Sequence, residues 1–483
     1  MSIIVFMTPP LSLKERYGSW AKAGNAMPSL GVISIAAVVR RERFNSQVIE
    51  AAARDLDQEQ VLQKIKEVEP CYVGLSATTF SIGAAAQLAK RVKLINKDTI
   101  IIVGGPHISA TPQETMERFS DFDVGVIGEG EATIVELLKS LESGEELKQV
   151  KGIIYRAKGG NGGKESAHLT LTAPRELIED LDQLPFPAHD LLAGFPKAFH
   201  PPPFKMARFP AASIVTSRGC PNRCIFCDRS VFGNRCRAFS SEYIITWIKE
   251  LVHRYKIKEL LVEDDTFVLF KSRLIEICDG ILREGLDLSW SCLGRVDMVT
   301  PKILKLMRKA GCWGIGYGIE SGAQHILDLE EKKIDLAQVE QTIAWTKEAG
   351  ILTKGFFMMG HPLENEETIN RTIDFAKKIP LDDISVMMLT PFPGSELYKT
   401  AHHYGIFNND WDKMNLLQPV FIPKGLDEER LNSYTRKMLK EFYLRPCIIW
   451  GYILRIAKHP STIFRILKGF YAFITTVFPM RRR

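Results

Sequence analysis

Three cysteines in the run Cys220-Pro-Asn-Arg-Cys224-Ile-Phe-Cys227 have a spacing that can supply three thiolates to an iron–sulfur cluster. A four-iron cluster needs four ligands, so this C-x₃-C-x₂-C run would leave one iron open for a substrate. Structural zinc sites usually pair their ligands in closely spaced couples, and no second couple follows within the next thirty residues. Cys236, nine residues beyond Cys227, remains open as a distant fourth ligand.

The residues around this triplet indicate what kind of cluster it holds. The apolar run from Ala211 to Ser217 predicts a buried strand that delivers the cysteines into a loop at its carboxyl end. With Phe226 just before the third cysteine, the segment resembles the signature of the radical S-adenosylmethionine (SAM) enzymes. The resemblance implies a 4Fe-4S cluster on the three cysteines, with SAM on the open iron and Phe226 beside it. A structural or purely redox-active cluster is the alternative.

Composition predicts an intracellular protein of several domains. The 483 residues and 45% hydrophobic content are enough for two to four buried cores. The nine cysteines are scattered and the first residues lack a signal-peptide pattern, so we expect a cytoplasmic protein without disulfides. Most of the net charge of +6 belongs to the C-terminus, because no acidic residue follows Arg445. The rest of the chain is near neutral, which argues against nucleic-acid binding.

Strand and helix patterns alternate through residues 1–145, the first predicted domain. Strand-like runs occur near 3–7, 46–50, 71–76, 99–103 and 124–127, with helical patterns near 30–41, 58–66 and 83–95. This alternation predicts a doubly wound, flavodoxin-like parallel sheet, whose ligands bind at the carboxyl ends of the strands.

Small residues follow three of these predicted strands and leave room for a wide ligand. They are Ser76, Thr78, Thr79, Gly104, Gly105, Gly128 and Gly130, together with Glu129. Placed before a radical SAM barrel, the arrangement resembles the cobalamin-binding domain of one large subgroup, which implies that these eight residues contact the corrin. A domain that binds a nucleotide, or nothing, is the alternative.

One departure from the cobalamin-binding pattern concerns the cobalt ligand. The D-x-H-x-x-G motif that supplies a histidine to cobalt in many such domains is absent, and residues 7–12 stand roughly in its place. His107 lies in a G-G-x-H turn and is expected to be a loop residue rather than an axial ligand. The resemblance therefore implies cobalamin with an open lower face.

Residues 146–206 predict a connecting segment between two separately strung domains. Strand-like runs at 152–156 and 168–171 flank a glycine-rich tip at 159–163, which predicts a hairpin. Prolines at 185–187 and 201–203 then predict an extended linker.

Residues 207–425 predict the second domain, in which strands and helices alternate with a longer period. Further strands are expected near 259–262, 289–292, 313–317, 355–359 and 384–388, with helices near 241–254, 271–284, 301–310, 336–349 and 366–378. With the strand before the cysteines this makes six β/α units, which suits the partial (β/α)₆ barrel of the radical SAM fold.

Polar residues at the ends of these strands are matched to SAM by the same resemblance. Glu263 and Asp264 would face the methionine amine, and Arg295 the carboxylate, unless Arg295 forms a surface salt bridge. Glu320 and Ser321, in a glycine-rich turn, would contact the ribose. Asp265 and Thr266 suit a helix cap better than a ligand.

Residues 426–483 predict a helical, basic and amphipathic C-terminal region. Arg455, Lys458, Arg465 and Lys468 recur at helical spacing among aromatic and aliphatic residues. The longest uncharged run has 12 residues, short of the roughly 20 that span a bilayer. The region is expected either to lie at the inner face of a membrane or to pack over the mouth of the barrel.

These features predict a cobalamin-dependent radical SAM enzyme that methylates an unactivated carbon. An oxidative cyclase is the main alternative, because the barrel motifs also resemble the anaerobic magnesium-protoporphyrin monomethyl ester cyclases. A non-catalytic iron–sulfur and corrin-binding sensor is the alternative from another class. The enzyme would need an electron donor such as flavodoxin or ferredoxin. Its substrate would be a small molecule or lipid-like compound, for which the basic, apolar tail favours a lipid, isoprenoid or tetrapyrrole.

Overall fold

The computed structural model describes residues 2–157, 168–202, 205–458 and 463–478. The predicted glycine-rich tip at 159–163 and the three terminal arginines lie outside the described residues, as does part of the 201–203 proline run.

The first domain is built on a seven-stranded sheet with the order β2-β1-β3-β4-β5-β6-β7. Its strands are β1 (Ile3–Met7), β2 (Asn45–Ile49), β3 (Tyr72–Ser76), β4 (Ile100–Gly104), β5 (Val124–Val126), β6 (Ile153–Ala157) and β7 (His168–Leu171). The first five are parallel in the flavodoxin-like order, which confirms the predicted doubly wound sheet. The last two add on antiparallel. The predicted hairpin therefore extends this sheet beyond residue 145 and is not part of a linker.

Helices cover both faces of the first sheet. They are α1 (Leu13–Tyr17), α2 (Leu30–Arg41), α3 (Gln58–Val68), α4 (Ile82–Ile95), α5 (Pro106–Ala110), α6 (Pro112–Arg118) and α7 (Gly130–Ser143). Helix α2 buries Val32, Ile33, Ala36 and Val39, a spacing that forms one apolar face. Helices α2 and α7 pack on one side of the sheet, and α3 and α4 on the other.

The second domain is a six-stranded, all-parallel sheet, which confirms the partial barrel. Its strands are β8 (Ala211–Ile214), β11 (Glu259–Val262), β12 (Ser289–Gly294), β13 (Cys312–Glu320), β14 (Leu352–Met359) and β15 (Asp383–Met388). The helices that follow are α8 (Ser241–Tyr255), α9 (Lys271–Arg283), α10 (Pro301–Lys309), α11 (Gln324–Leu329), α12 (Leu336–Glu348), α13 (Glu366–Lys378) and α14 (Glu396–Tyr404).

The predicted strand at 211–217 is broken in two. After β8, the short strand β9 (Ser217–Arg218) pairs antiparallel with β10 (Arg237–Ala238). The break is held by Asp264, whose carboxylate accepts hydrogen bonds of 2.6 Å from the Thr216 amide and hydroxyl and from the Ser217 hydroxyl. This turn directs the following cysteines toward the first domain.

The two domains are interleaved, which corrects the expectation of separately strung domains. A hairpin of β16 (Gly405–Phe407) and β17 (Phe421–Pro423) brings the intervening residues back to the first domain. There Trp411, Met414 and Val420 join the apolar core of α3 and α4.

The chain ends in three helices, α15 (Glu428–Tyr443), α16 (Pro446–Lys458) and α17 (Ile463–Val477). The Tyr443 hydroxyl donates to Asp383 and to the Ile384 carbonyl, which lie at the amino end of β15. The helical region therefore packs at the amino end of the barrel and not over its mouth. In the described part of the chain, none of the helices has the length and hydrophobicity to cross a bilayer.

Candidate active site

One cavity of about 840 Å³ lies between the carboxyl ends of the two sheets. Ser76 and Gly104 line it from β3 and β4, and Gly294 and Gly316 line it from β12 and β13. Its volume is near the upper end of the range for small-molecule sites, roughly 300–1,000 Å³. The shared cavity places ligands of the two domains side by side.

The three cysteines of the triplet all line this cavity. The side-chain amide of Asn222 donates a hydrogen bond of 3.2 Å to the Cys220 sulfur. The Thr266 hydroxyl donates a second one, of 3.3 Å, to the same sulfur. These contacts hold the Cys220 sulfur in place at the cavity. The Ile225 amide donates to the Glu330 carbonyl and fixes the loop from behind.

The environment of Cys224 favours a thiolate. Its neighbour Cys227 donates a hydrogen bond to it, and Lys332 and Arg295 are nearby cations. Together these outweigh burial and lower the pKa of the Cys224 thiol to about 6.

Among the described residues, no three His, Cys, Asp or Glu side chains are grouped closely enough to hold one metal ion. In a cluster, each cysteine binds its own iron. The three thiols of this donor set suit such a cluster.

Three of the predicted SAM residues lie at the cavity with the cysteines. Phe226, Arg295 and Glu320 line it, and Glu320 forms a 2.6 Å ion pair with Lys332. Both members of this pair are buried, and the Lys332 ammonium lies 5.9 Å from the Phe226 ring centroid. Sequence reasoning missed Lys332, because nothing in the run of two glutamates and two lysines distinguishes it from Lys333.

The guanidinium of Arg295 is already engaged within the protein. It forks onto Asp297, with N–O distances of 3.0 and 3.1 Å, and donates to the Lys332 carbonyl over 2.9 Å. Arg295 is neither directed as a free fork at a ligand carboxylate nor part of a surface salt bridge. It holds the turn that carries Lys332.

The structure does not bring Glu263, Asp264 and Ser321 to the cavity. Glu263 faces the lower part of the barrel, where Lys205 lies 3.6 Å away. The Asp264 carboxylate accepts hydrogen bonds from the turn before β9, and the Ser321 hydroxyl is hydrogen-bonded with the Thr372 hydroxyl. Asp265 and Thr266, the two residues that follow Asp264, line the cavity instead. A capping role was expected for both, and no local pattern distinguishes them from Asp264, because β11 is buried along its whole length and Asp264 and Thr266 are both buried.

Six of the eight predicted cobalamin residues line the cavity. They are Ser76, Gly104, Gly105, Gly128, Glu129 and Gly130. Thr78 and Thr79 do not, because Thr78 is hydrogen-bonded with Ser81 and the Thr79 hydroxyl lies 3.2 Å from His107 Nδ1.

Glycine is required by the backbone at one of these positions and leaves open space at another. Gly105 has a φ of +106°, and a Cβ there would lie 2.7 Å from the Ala77 carbonyl oxygen. A Cβ on Gly104 would meet no atom nearer than 3.9 Å and would extend into the cavity. This flat, open wall suits a broad ring such as a corrin.

The first domain offers no imidazole to a ligand in this cavity among the described residues that line it. His107 is buried with its ring edge-on to Trp411, 4.3 Å between centroids, and burial lowers its pKa to about 3. It belongs to the short helix α5 and packs in the core. His107 is therefore a helix residue and not the loop residue that was expected, while its burial in the core agrees with the expectation that it is not an axial ligand.

A buried ionic network joins the glycine-lined wall of the first domain to the cysteine loop. The Glu129 carboxylate accepts hydrogen bonds of 2.8 to 3.0 Å from Arg218 and Arg237 and from the Ile178 amide. Arg218 also pairs with Glu131 over 2.5 Å. Because both oxygens of Glu129 are occupied, its main contacts are with the protein.

A second buried pair lies behind the cysteine loop. His361 Nδ1 is 2.5 Å from the Glu330 carboxylate, and neither side chain is exposed. Burial opposes the imidazolium, but Glu330 outweighs it and raises the pKa of His361 to about 10. The carbonyl of the same Glu330 accepts from Ile225, so the pair supports the loop.

Family models match both domains. Residues 19–138 match the B12 binding domain, and residues 214–376 match the radical SAM superfamily. Each matched segment covers most of one of the two domains that form the cavity.

Relatives align along nearly the whole chain. An uncharacterized methyltransferase of Pyrococcus horikoshii is 35% identical over 475 residues, covering 97% of this chain and 98% of that one. The anaerobic magnesium-protoporphyrin IX monomethyl ester cyclase of Rubrivivax gelatinosus is 26% identical, covering 93% of this chain and 79% of its own.

A solved structure has the same two-domain fold. The cobalamin-dependent SAM radical enzyme OxsB, with aqua-cobalamin and SAM bound, superposes with a TM-score of 0.72 at 19% identity. The match covers 98% of this chain and 72% of that one. The chain therefore belongs to the radical SAM enzymes that carry an N-terminal B12 binding domain, whose cofactors are a 4Fe-4S cluster, SAM and cobalamin.

Proposed function

We propose that this enzyme transfers a methyl group to an unactivated carbon of a small, largely apolar substrate. The single observation that supports this most is the shared cavity, in which the three cysteines face the glycine wall of the first domain. The relative with 35% identity along the whole chain is named a methyltransferase, which favours the same reaction.

The proposal assigns the cavity residues to binding and positioning. Cys220, Cys224 and Cys227 hold the cluster, and Phe226, Glu320 and Lys332 lie where SAM would bind it. Ser76, Gly104, Gly105, Gly128 and Gly130 form the wall for cobalamin. When bound, the reduced cluster and one SAM supply a 5′-deoxyadenosyl radical for hydrogen abstraction, and cobalamin supplies a methyl group drawn from a second SAM.

Much of the remaining lining of the cavity is apolar and would orient the substrate. Phe6, Val32, Ile35 and Ile134 line it from the first domain, and Phe356 from the barrel. A mostly apolar lining limits side reactions of a reactive carbon centre and favours an apolar substrate over a charged one.

Oxidative cyclisation is the second candidate, because a cyclase relative aligns with 93% of this chain. The chain covers a smaller share of that relative, 79%, than of the methyltransferase, 98%. The lower coverage and identity place cyclisation second.

The proposal also includes partners beyond the substrate. An electron donor such as flavodoxin or ferredoxin would reduce the cluster. The substrate class that we favour is a lipid, isoprenoid or tetrapyrrole, with the enzyme peripherally attached to the inner face of a membrane.

Product analysis tests the proposed reaction. The anaerobically reconstituted enzyme would be reduced with SAM and candidate apolar substrates, and 5′-deoxyadenosine and S-adenosylhomocysteine would be quantified. Methyl transfer predicts both products in equal amounts with the correct substrate. Formation of 5′-deoxyadenosine without S-adenosylhomocysteine, in enzyme loaded with cobalamin, would favour cyclisation. Cys224→Ser should give no 5′-deoxyadenosine.

A further inference from the structure

Helix α17 exposes a continuous apolar stripe to solvent. Leu467, Phe470, Tyr471, Ile474 and Phe478 are each 40–53% exposed. Their spacing of three, four, seven and eleven residues from Leu467 places them on one side of the helix. The opposite side, with Ala472, Phe473 and Val477, is buried against the body of the protein. Leu467, Phe470, Ile474 and Phe478 therefore present apolar surface to solvent.

Helix α16 has a second exposed stripe of the same kind. Ile449, Trp450, Ile453 and Leu454 are exposed, with Trp450 at 59%, while Ile448 is buried. Scattered exposed apolar residues are normal on a protein surface, but a concentrated patch marks an interaction site. We call the exposed stripes of α16 and α17 the tail surface.

The charges that the tail-surface helices carry are all basic, because the sequence has no acidic residue after Glu441. Arg455 of α16 lines a cavity with Asp382 and Asp383, so Lys468 of α17 is the basic residue that carries this argument. Lys468 is exposed next to Leu467 on α17. Basic residues at the edge of an apolar helix face match an anionic lipid surface, where headgroups bind the cations and acyl chains receive the apolar groups.

The aromatic residues of the tail surface point to the same partner. Trp450 and Tyr471 are the residue types enriched at the boundary between headgroups and hydrocarbon. The two helices have 13 and 15 residues, fewer than the roughly 20 needed to span a bilayer. They would therefore lie in the plane of the interface.

We propose that the tail surface of α16 and α17 docks on an anionic lipid bilayer and seats the amino end of the barrel on the membrane. Helix α17 packs against residues 18–23, which lead through a short loop into α2. The first turns of α2 contribute Gly31, Val32 and Ile35 to the cavity. The docked helix is thus connected through residues 18–29 to the helix that lines one wall of the cavity.

Vesicle co-sedimentation of the full-length, cofactor-loaded protein tests this proposal. The vesicles would contain phosphatidylcholine with or without phosphatidylglycerol. The double variant Leu467→Glu/Ile474→Glu places two carboxylates on the tail surface, and should lower partitioning onto the anionic vesicles by about tenfold or more. The matched control Leu94→Glu/Ile406→Glu changes residues that are 79% and 74% exposed elsewhere, and should leave partitioning unchanged.

The same experiment tests whether binding needs anionic lipid and whether a second copy of the chain binds the tail surface instead. Binding should be weaker on pure phosphatidylcholine and at high salt, because the cationic contribution is screened. Equal partitioning of wild type and tail-surface variant would overturn the proposal. A second result would also overturn it: light scattering shows that the wild type is a dimer, the dimer does not bind vesicles, and the variant is a monomer. The tail surface would then bind a second copy of the chain.

Membrane docking and radical chemistry are separable in this experiment. The tail-surface variant should keep the wild-type melting temperature and still cleave SAM, because α16 and α17 pack at the end of the barrel away from the cysteines. Loss of SAM cleavage together with retained vesicle binding would count against the proposed function and not against the tail surface.

Discussion

At the scale of single residues, the cysteine loop is stabilised for metal binding by neighbours far away in the sequence. Thr266 donates to the Cys220 sulfur, and Lys332 lies near Cys224. The spacing of the cysteines was sufficient to predict them, because it is a local pattern. Lys332 and His361 could not be predicted, since their importance comes from contacts across 12 and 31 residues with Glu320 and Glu330.

Serine at any of the three cysteines should abolish the cluster. Cys220→Ser, Cys224→Ser and Cys227→Ser each remove a soft thiolate, and the remaining two cannot hold four irons. We expect loss of the cluster's electron paramagnetic resonance (EPR) signal and of 5′-deoxyadenosine formation. Cys71→Ser, at an exposed position outside the cavity, is the control, and Cys236→Ser should also retain the cluster. Loss of the cluster in Cys236→Ser would identify Cys236 as a ligand.

Removing the Lys332 cation should destabilise the protein more than removing the whole pair. Lys332→Met leaves Glu320 buried without a partner, which costs roughly 3–5 kcal/mol of unfolding free energy. The double variant Glu320→Gln/Lys332→Met should recover most of this loss. Urea unfolding of the two variants checks the order, and a double variant no more stable than Lys332→Met would contradict it.

His361 should make stability fall as pH rises above neutrality. Its pKa is about 10 in the folded protein, against an ordinary value near 6.5 when unfolded. Its contribution is therefore complete below about pH 6.5 and is lost as pH rises toward 10. Melting temperatures measured between pH 6 and 9 should decline more steeply in the wild type than in His361→Gln. Parallel curves would show that this proton is not linked to folding.

At the scale of secondary structure, hydrophobic periodicity predicted the strands of the two sheets and eight of the fourteen helices α1 to α14. The helices that it missed are α1, α5, α6, α7, α11 and α14. Helices α2 and α13 have the predicted boundaries to within one residue. The break between β8 and β9 was missed because it depends on Asp264, which is 48 residues from Thr216. The hairpin of β6 and β7 was recognised, but its attachment to β5 is a tertiary contact that local patterns do not contain.

A larger side chain on the glycine wall should block cobalamin without unfolding the domain. Gly104→Leu at the end of β4 would extend into open cavity space, where the nearest atom to its Cβ is 3.9 Å away. We expect about tenfold weaker retention of cobalamin, measured by absorbance per polypeptide, with little change in melting temperature. Gly451→Leu, also unobstructed but on α16, should retain cobalamin. Unchanged cobalamin content in Gly104→Leu would place the corrin elsewhere.

At the scale of the whole molecule, the two interleaved domains place the carboxyl ends of their parallel strands on opposite sides of one cavity. The ionic network of Glu129 with Arg218 and Arg237 spans 89 and 108 residues of sequence and fixes the cysteine loop against helix α7. Sequence analysis placed Glu129 on cobalamin, because its turn follows a strand of the first sheet. Only the folded chain reveals that its carboxylate is occupied by arginines of the second domain.

The central claim is that one cavity brings the cluster and cobalamin together. EPR spectroscopy of the reduced protein tests it most directly, with samples carrying the cluster alone, cob(II)alamin alone, and both. Two paramagnetic centres in a cavity of about 840 Å³ are close enough to interact. We predict that the doubly loaded spectrum is split or broadened relative to the sum of the other two. A doubly loaded spectrum equal to that sum would contradict the account.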